Sequence, residues 1–198
     1  MSSGLLPRVL VTGASGFVGQ RLTASLCASG HPVRAAFRRP VSLPESSLYE
    51  SVVTGDLGHA TDWKAALTDV GTVVHLAARV HVMQDKSVDP LAEFRRVNVL
   101  GTLQLARQAA DAGVRRFVFI SSVKINGEGT PTARPYTADD VPAPMDAYGV
   151  SKLEAEQGLL ALAASTGVEV AIIRPMPVLL RQPRIIYGRS KCSFRSEN

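Results

Sequence analysis

Cysteine is scarce in this chain: two residues in 198, Cys27 and Cys192, far apart, with no CxxC spacing and no histidine cluster to join them. That excludes a disulfide framework and leaves no metal site to expect. Long apolar runs are missing too. Nothing approaches the ~20 residues of a membrane-spanning helix, and the opening "MSSGLLPRVLVTG" enters a strand without the apolar core of a signal peptide. A cytoplasmic protein with no membrane span is expected. Internal repeats and low-complexity stretches are also absent. With 45% hydrophobic and 20% charged residues, the composition is that of a globular protein with a substantial core. The formal charge of +5 is not spread over the chain. Residues 176–198 carry Arg181, Arg184, Arg189, Lys191 and Arg195 against Glu197, a net +4, which leaves +1 for everything before them. A nearly neutral body does not present the basic face that nucleic acid requires, so no nucleic-acid partner is expected.

What the chain does contain is an alternation of short apolar runs with helical stretches. Residues 9–12, 33–37, 51–54, 72–76, 116–121 and 169–173 read as strands, rich in Val and Ile and largely apolar on both faces. Residues 17–29, 61–68, 90–112 and 147–165 carry helical periodicity, and Gly30, Gly113 and Gly167 stand just past three of the helix ends, where a left-handed cap is wanted. The pattern predicts an α/β fold with a doubly wound parallel sheet of Rossmann-like type. The domain is expected over residues 1–175, with 176–198 a divergent basic tail of poor order.

The first run ends in glycines at every third position: "VLVTGASGFVG" places Gly13, Gly16 and Gly19 between strand and helix. Glycine lets the backbone turn sharply and approach a ligand, while the first helical turn offers free N–H groups and a partial positive charge to a pyrophosphate. Further on, Tyr148 and Lys152 are four apart on a predicted helix and project from one face. A tyrosine working as acid or base near neutrality must lose about three units from its reference pKa of ~10, on the order of 4 kcal/mol. A neighbouring ammonium favours the phenolate and can supply much of that. Ser122 stands at the end of the fifth predicted strand, on the carboxyl edge where such sheets bind ligands, with Ser121 as the alternative hydroxyl.

Taken in order, "TGASGFVG", "GDL", "HLAA", "VNVLGT", "ISSV" and "YGVSK" make the chain, over about residues 8 to 175, resemble the extended short-chain dehydrogenases/reductases. The stretch "SSVKINGE" is similar to the bacterial nucleotide-sugar 4-epimerases and 4-keto reductases of surface-polysaccharide synthesis. The resemblance implies an NAD(P)-dependent enzyme acting at C4 of a nucleotide sugar, UDP-linked, with Ser122, Tyr148 and Lys152 as the catalytic set. It implies cofactor contacts from Gly13, Ser15, Gly16, Phe17, Val18, Gly19, Arg38, Asp56, Leu57, Ala77, Ala78 and Asn98, besides Tyr148 and Lys152. Asp56 would meet the adenine and Asn98 would support the active-site hydrogen bonds, although either is equally a turn or capping residue. The alternatives are a non-catalytic NAD(P)-binding fragment of such an enzyme and a hydroxysteroid or flavonoid type of reductase on the same scaffold.

Departures from the family pattern refine these expectations. Where its dehydratases carry Asp and Glu after the active-site hydroxyl, this chain has Val123 and Lys124, so dehydration is not expected. The second strand ends "RAAFRRP", without the carboxylate that would hold a ribose hydroxyl pair; Arg38 and Arg39 can bind a 2′-phosphate instead, so NADP(H) is expected over NAD(H), tilting the reading toward 4-keto reduction. After Arg174 and Pro175 the family continues into a sugar-nucleotide subdomain, whereas this chain reads "MPVLLRQPRIIYGRSKCSFRSEN". Most of that subdomain is expected to be missing, by frameshift or truncation, and the apolar edge left uncovered points to association, a homodimer being one form of it.

Overall fold

The computed structural model describes residues 6–42, 46–80, 88–130 and 134–176. Six parallel strands form one sheet in the order β3-β2-β1-β4-β5-β6, with β1 Arg8–Thr12, β2 Val33–Phe37, β3 Tyr49–Val53, β4 Val70–His75, β5 Arg116–Ile120 and β6 Glu169–Ile173. The strand order reverses between β1 and β4, which opens a crevice at their carboxyl ends. The helices are α1 Phe17–Ala28, α2 Lys64–Leu67, α3 Pro90–Phe94, α4 Thr102–Asp111 and α5 Ala147–Thr166. The doubly wound parallel architecture read from the sequence is therefore the architecture found. Gly30, Gly113 and Gly167 all take the left-handed conformation, with φ of +80°, +77° and +77°, as their places after helix ends demanded.

Alternation along β1 divides the core. Leu10 points into a large cluster with Trp63, Leu67, Leu105, Phe117, Phe119 and Leu159, beneath α4 and α5. Val9 and Val11 point the other way, packing with Cys27, Val33, Ala35 and Phe37 against α1. The centre and the edge of the sheet are unequally covered. Among the described residues, Ile173 at the end of β6 stays half-exposed on the edge strand, whereas both faces of β1 are sealed.

One element departs from the sequence reading. Residues 90–112, expected as one helix, are α3 and α4 joined by a π-helical segment, Arg95–Gly101. Asn98 and Gly101, both poor formers of an α-helix interior, lie inside it. Gly101 is required by packing, since a Cβ there would come within 2.7 Å of the Leu57 side chain. The wider turn is the kind often found at functional sites.

Candidate functional site

Two constructions meet at the carboxyl edge of the sheet. The first is the turn between β1 and α1, made almost wholly of backbone. Gly13 has φ of +68°, and a Cβ there would stand 2.8 Å from the Ala77 nitrogen. Gly16 is the N-cap of α1 and donates its N–H to the Gly13 carbonyl at 2.9 Å. Gly19 is buried, and a Cβ on it would fall 2.2 Å from the Gly13 oxygen. The helix start has no side-chain cap and no acidic residue in its first turn. Ser15 lies exposed on the turn, its carbonyl accepting from Gln20 Nε2 at 2.9 Å; Phe17 and Val18 stand exposed on the first turn of α1. The loop after β4 closes the other side: Ala77 N–H donates to Thr12 Oγ1 at 3.2 Å, and Ala78 follows, half-buried. A glycine cradle beside uncapped helical N–H groups, free of carboxylates, suits a diphosphate.

Beneath that turn lies a residue the sequence reading passed over. His75 is wholly buried, with Nδ1 2.7 Å from Thr12 Oγ1 and Nε2 3.0 Å from Thr102 Oγ1. One ring nitrogen donates and the other accepts, so the neutral imidazole satisfies both threonine hydroxyls while Thr12 Oγ1 also accepts from Ala77. Burial, and secondarily the charge of Lys152, push the His75 pKa down to about 3, so this chain of bonds is neutral and fixed at ordinary pH.

The second construction is made of side chains. Ser122 caps a short 3-10 turn, Val123–Ile125, its Oγ accepting from Lys124 N at 3.2 Å. Its side chain lies close enough to the phenol of Tyr148, in the first turn of α5, to ease the ionisation of that phenol. Ser121 is turned inward, buried, and its hydroxyl finds no partner, so of the two serines only Ser122 reaches the tyrosine. The Tyr148 ring also meets Phe94 edge-on, with centroids 6.0 Å apart. Burial pushes the phenol above its ordinary pKa, Ser122 pulls it partly back, and the nearby Asp146 carboxylate adds to the rise. Lys152 is almost entirely buried: Nζ donates to the Ile120 carbonyl at 2.6 Å and sits 4.0 Å over the Phe119 ring. Burial lowers its pKa to about 7 against the opposing pull of Glu156. The ammonium expected to favour the Tyr148 phenolate is thus turned toward the sheet, and the phenol is held protonated at neutral pH.

Asn98 ties these parts together through the π-helical segment. Its Oδ1 accepts from Arg79 N at 2.8 Å, and its Nδ2 donates to Arg79 O and to Ser151 Oγ, each at 3.0 Å. Ser151 in turn donates to the Tyr148 carbonyl at 2.7 Å. Neither Ser151 nor Glu156 was anticipated. Glu156 lies one turn beyond Lys152 on α5, buried, and receives Arg174 through Nη2 at 2.7 Å and Nε at 3.2 Å. The spacing Tyr148, Lys152, Glu156 was the available clue.

Arg38 is not free. Its Nε lies 3.7 Å from Asp56 Oδ1, with both side chains largely exposed. Leu57 packs beside the large core cluster and against Gly101.

A backbone phosphate cradle at the switch point of a parallel sheet, facing a Ser–Tyr–Lys edge, defines a nucleotide-binding α/β protein. The NAD dependent epimerase/dehydratase family model matches residues 9–185, and the chain belongs to that family. The match runs past Pro175 into residues outside those described. A UDP-glucose 4-epimerase of Vibrio cholerae is 46% identical over 190 residues, covering 95% of this chain and 55% of the relative. A 3-beta-hydroxysteroid dehydrogenase of Mycolicibacterium neoaurum is 36% identical over 196 residues, covering 93% and 51%. MoeE5, solved in complex with UDP-glucose and NAD, superposes with a TM-score of 0.70 at 37% identity, over 83% of this chain and 52% of its own. The chain spans about half the length of the relatives it matches.

The solved relatives overturn the expectation of NADP(H): they hold NAD. One feature of the fold that runs against a 2′-phosphate at this strand end is the Arg38–Asp56 pair. The sequence showed two arginines at a strand end, but folding sets a carboxylate beside the first, which offsets its charge and would repel a 2′-phosphate. Among the described residues no helix is long and apolar enough to cross a membrane.

Proposed function

We propose that the chain binds NAD and belongs to an enzyme that transfers hydride at C4 of a UDP-linked hexose, as a UDP-glucose-type 4-epimerase does. What supports this reading is that the Ser122 turn and the Tyr148 helix, pressed together at Lys124 and Gly149, stand on the same sheet edge as the glycine cradle. The diphosphate of NAD would lie on the Gly13–Gly19 turn and the α1 N-terminus. Ala77 and Ala78 would flank it, with Asp56 and Leu57 toward the adenine. When bound, NAD supplies the hydride acceptor. Ser122 holds the oxygen on C4, and Tyr148 takes the hydroxyl proton as hydride leaves that carbon, returning it when hydride comes back. Lys152, with Asn98 and Ser151 behind it, fixes the helix that carries the phenol. The raised phenol pKa makes the proton-returning role the easy one at neutral pH and the proton-taking role dependent on a bound positive charge.

The resemblance to a UDP-glucose 4-epimerase and to a protein that holds UDP-glucose beside NAD supports the choice of sugar. A cytoplasmic place and a homodimer belong to the same reading. Mixing the chain with NAD and UDP-glucose tests it: the reading expects absorbance of reduced nicotinamide or UDP-galactose to form, and neither to form with Tyr148→Phe. Binding of NAD with no chemistry on any UDP-hexose would leave the non-catalytic alternative in its place.

A further inference from the structure

The turn that carries Ser122 and the helix that carries Tyr148 are separate pieces of chain, and something must set the distance between them. Backbone does part of this. The Lys124 carbonyl stands 2.8 Å from where a Cβ on Gly149 would be, so turn and helix are pressed together at a position that tolerates only glycine. The Ile125 carbonyl accepts from Ala143 N at 2.8 Å, drawing in the segment that leads to α5. The rest is the Lys124 side chain. Its Nζ donates to both oxygens of Glu128, at 2.7 and 2.6 Å, and lies 3.5 Å from Asp146 Oδ2. Asp146 is the N-cap of α5, its Oδ1 accepting from Gly149 N at 2.6 Å.

We propose that Lys124 is a positioning residue for the Ser122–Tyr148 pair, its ammonium bridging Glu128 and Asp146 to hold the serine turn against the tyrosine helix. The assignment rests on the proposed function only in taking Ser122 and Tyr148 as the reacting pair. The magnitudes favour geometry over stability as the role. About a third of the Lys124 side chain is exposed, and ion pairs of that exposure contribute ~0–1 kcal/mol to folding. The alignment of two reacting hydroxyls is far more sensitive, since a misplacement of about 1 Å can cost on the order of a hundredfold in rate. The groups that face the Tyr148 phenol are Ser122 from the turn after β5, Phe94 from α3 and Asp146 from the cap of its own helix, while the Lys152 ammonium is turned to the Ile120 carbonyl. Loss of the Lys124 charge acts on two of them in one direction: Asp146 loses a compensating charge, and the serine turn is released from the start of the tyrosine helix. Both disfavour the phenolate.

The test needs neither cofactor nor turnover, so it stands apart from the proposed function. The full chain is labelled with 13Cζ-tyrosine, the Tyr148 resonance is assigned with Tyr148→Phe, and its titration is followed with pH. Lys124→Met should raise the midpoint by about half a pH unit or more, with melting temperature little changed, and Lys124→Arg should restore the wild-type midpoint. Lys124→Gln, which keeps the stem and a donor, replaces the Met variant if that fails to fold and should shift the midpoint the same way. An unchanged midpoint in a folded Met or Gln variant, or an Arg variant that shifts as far as Met, overturns the assignment.

Discussion

The glycine turn after β1 and the serine–tyrosine edge after β5 face one crevice but are built from different materials. The first is backbone: Gly13 and Gly19 have no room for a Cβ, and none of its polar groups titrates. The second is side chain: a phenol pushed up by burial, an ammonium pushed down to about 7, and a carboxylate buried under an arginine. A backbone site is intolerant of added atoms and answers to pH only through a neighbour such as His75. A side-chain site accepts conservative replacement of shape and answers to pH.

Breaking the first region should have the largest effect. Gly19→Ala puts a methyl 2.2 Å from the Gly13 oxygen, closer than backbone can yield without moving the turn. A destabilisation above about 3 kcal/mol is expected, with loss of NAD binding; denaturant unfolding and calorimetry check both. An Ala variant that melts and binds like wild type would remove the backbone argument. In the second region, Glu156→Ala strands the Arg174 guanidinium and takes away the charge opposing Lys152 desolvation. It should cost about 3 kcal/mol in chemical denaturation, whereas Glu156→Gln, which keeps the shape and one acceptor, should cost less.

His75 sharpens the comparison, since it is a titratable group that serves the backbone region. Its folded pKa, about 3, lies below the ordinary 6.5, so between those values the unfolded chain binds a proton that the folded chain refuses. Stability is therefore full above pH 6.5 and falls as pH drops toward 3. The loss should reach about 2 kcal/mol by pH 5, and His75→Gln should flatten that slope. A His75→Gln variant with the wild-type acid profile would place the acid sensitivity elsewhere. The smallest effect on stability is expected from Tyr148→Phe, under about 1 kcal/mol because the ring keeps its Phe94 contact, although the same change should abolish turnover. Thermal unfolding beside the UDP-glucose assay separates the two.

This difference in material also explains what could be read in advance. The alternation of strands and helices, the glycine turn and the left-handed caps are local: each is written in a few consecutive residues, and each was legible. So was the shared face of Tyr148 and Lys152. What escaped depends on partners distant in sequence. Arg38 read as a free cation because Asp56, eighteen residues on, could not be seen beside it. Lys152 was read as facing Tyr148, while its ammonium turns to a carbonyl on β5. The π-helical segment escaped because its wider turn breaks the 3.6 period, leaving only Asn98 and Gly101 as clues. His75 was read as part of a motif, and its bonds to Thr12 and Thr102 join elements that the sequence keeps far apart.

The central claim is that the backbone region holds the diphosphate of the dinucleotide and the Tyr148 hydroxyl contributes little to binding it, acting instead on what is bound. Calorimetric titration of NAD into the wild-type chain and into Tyr148→Phe tests this most directly. The account predicts saturable binding of one NAD per chain with affinities equal within about twofold, a difference of ~0.4 kcal/mol. Failure of a folded wild-type chain to bind NAD, or a Phe variant that binds more than tenfold more weakly, would contradict it.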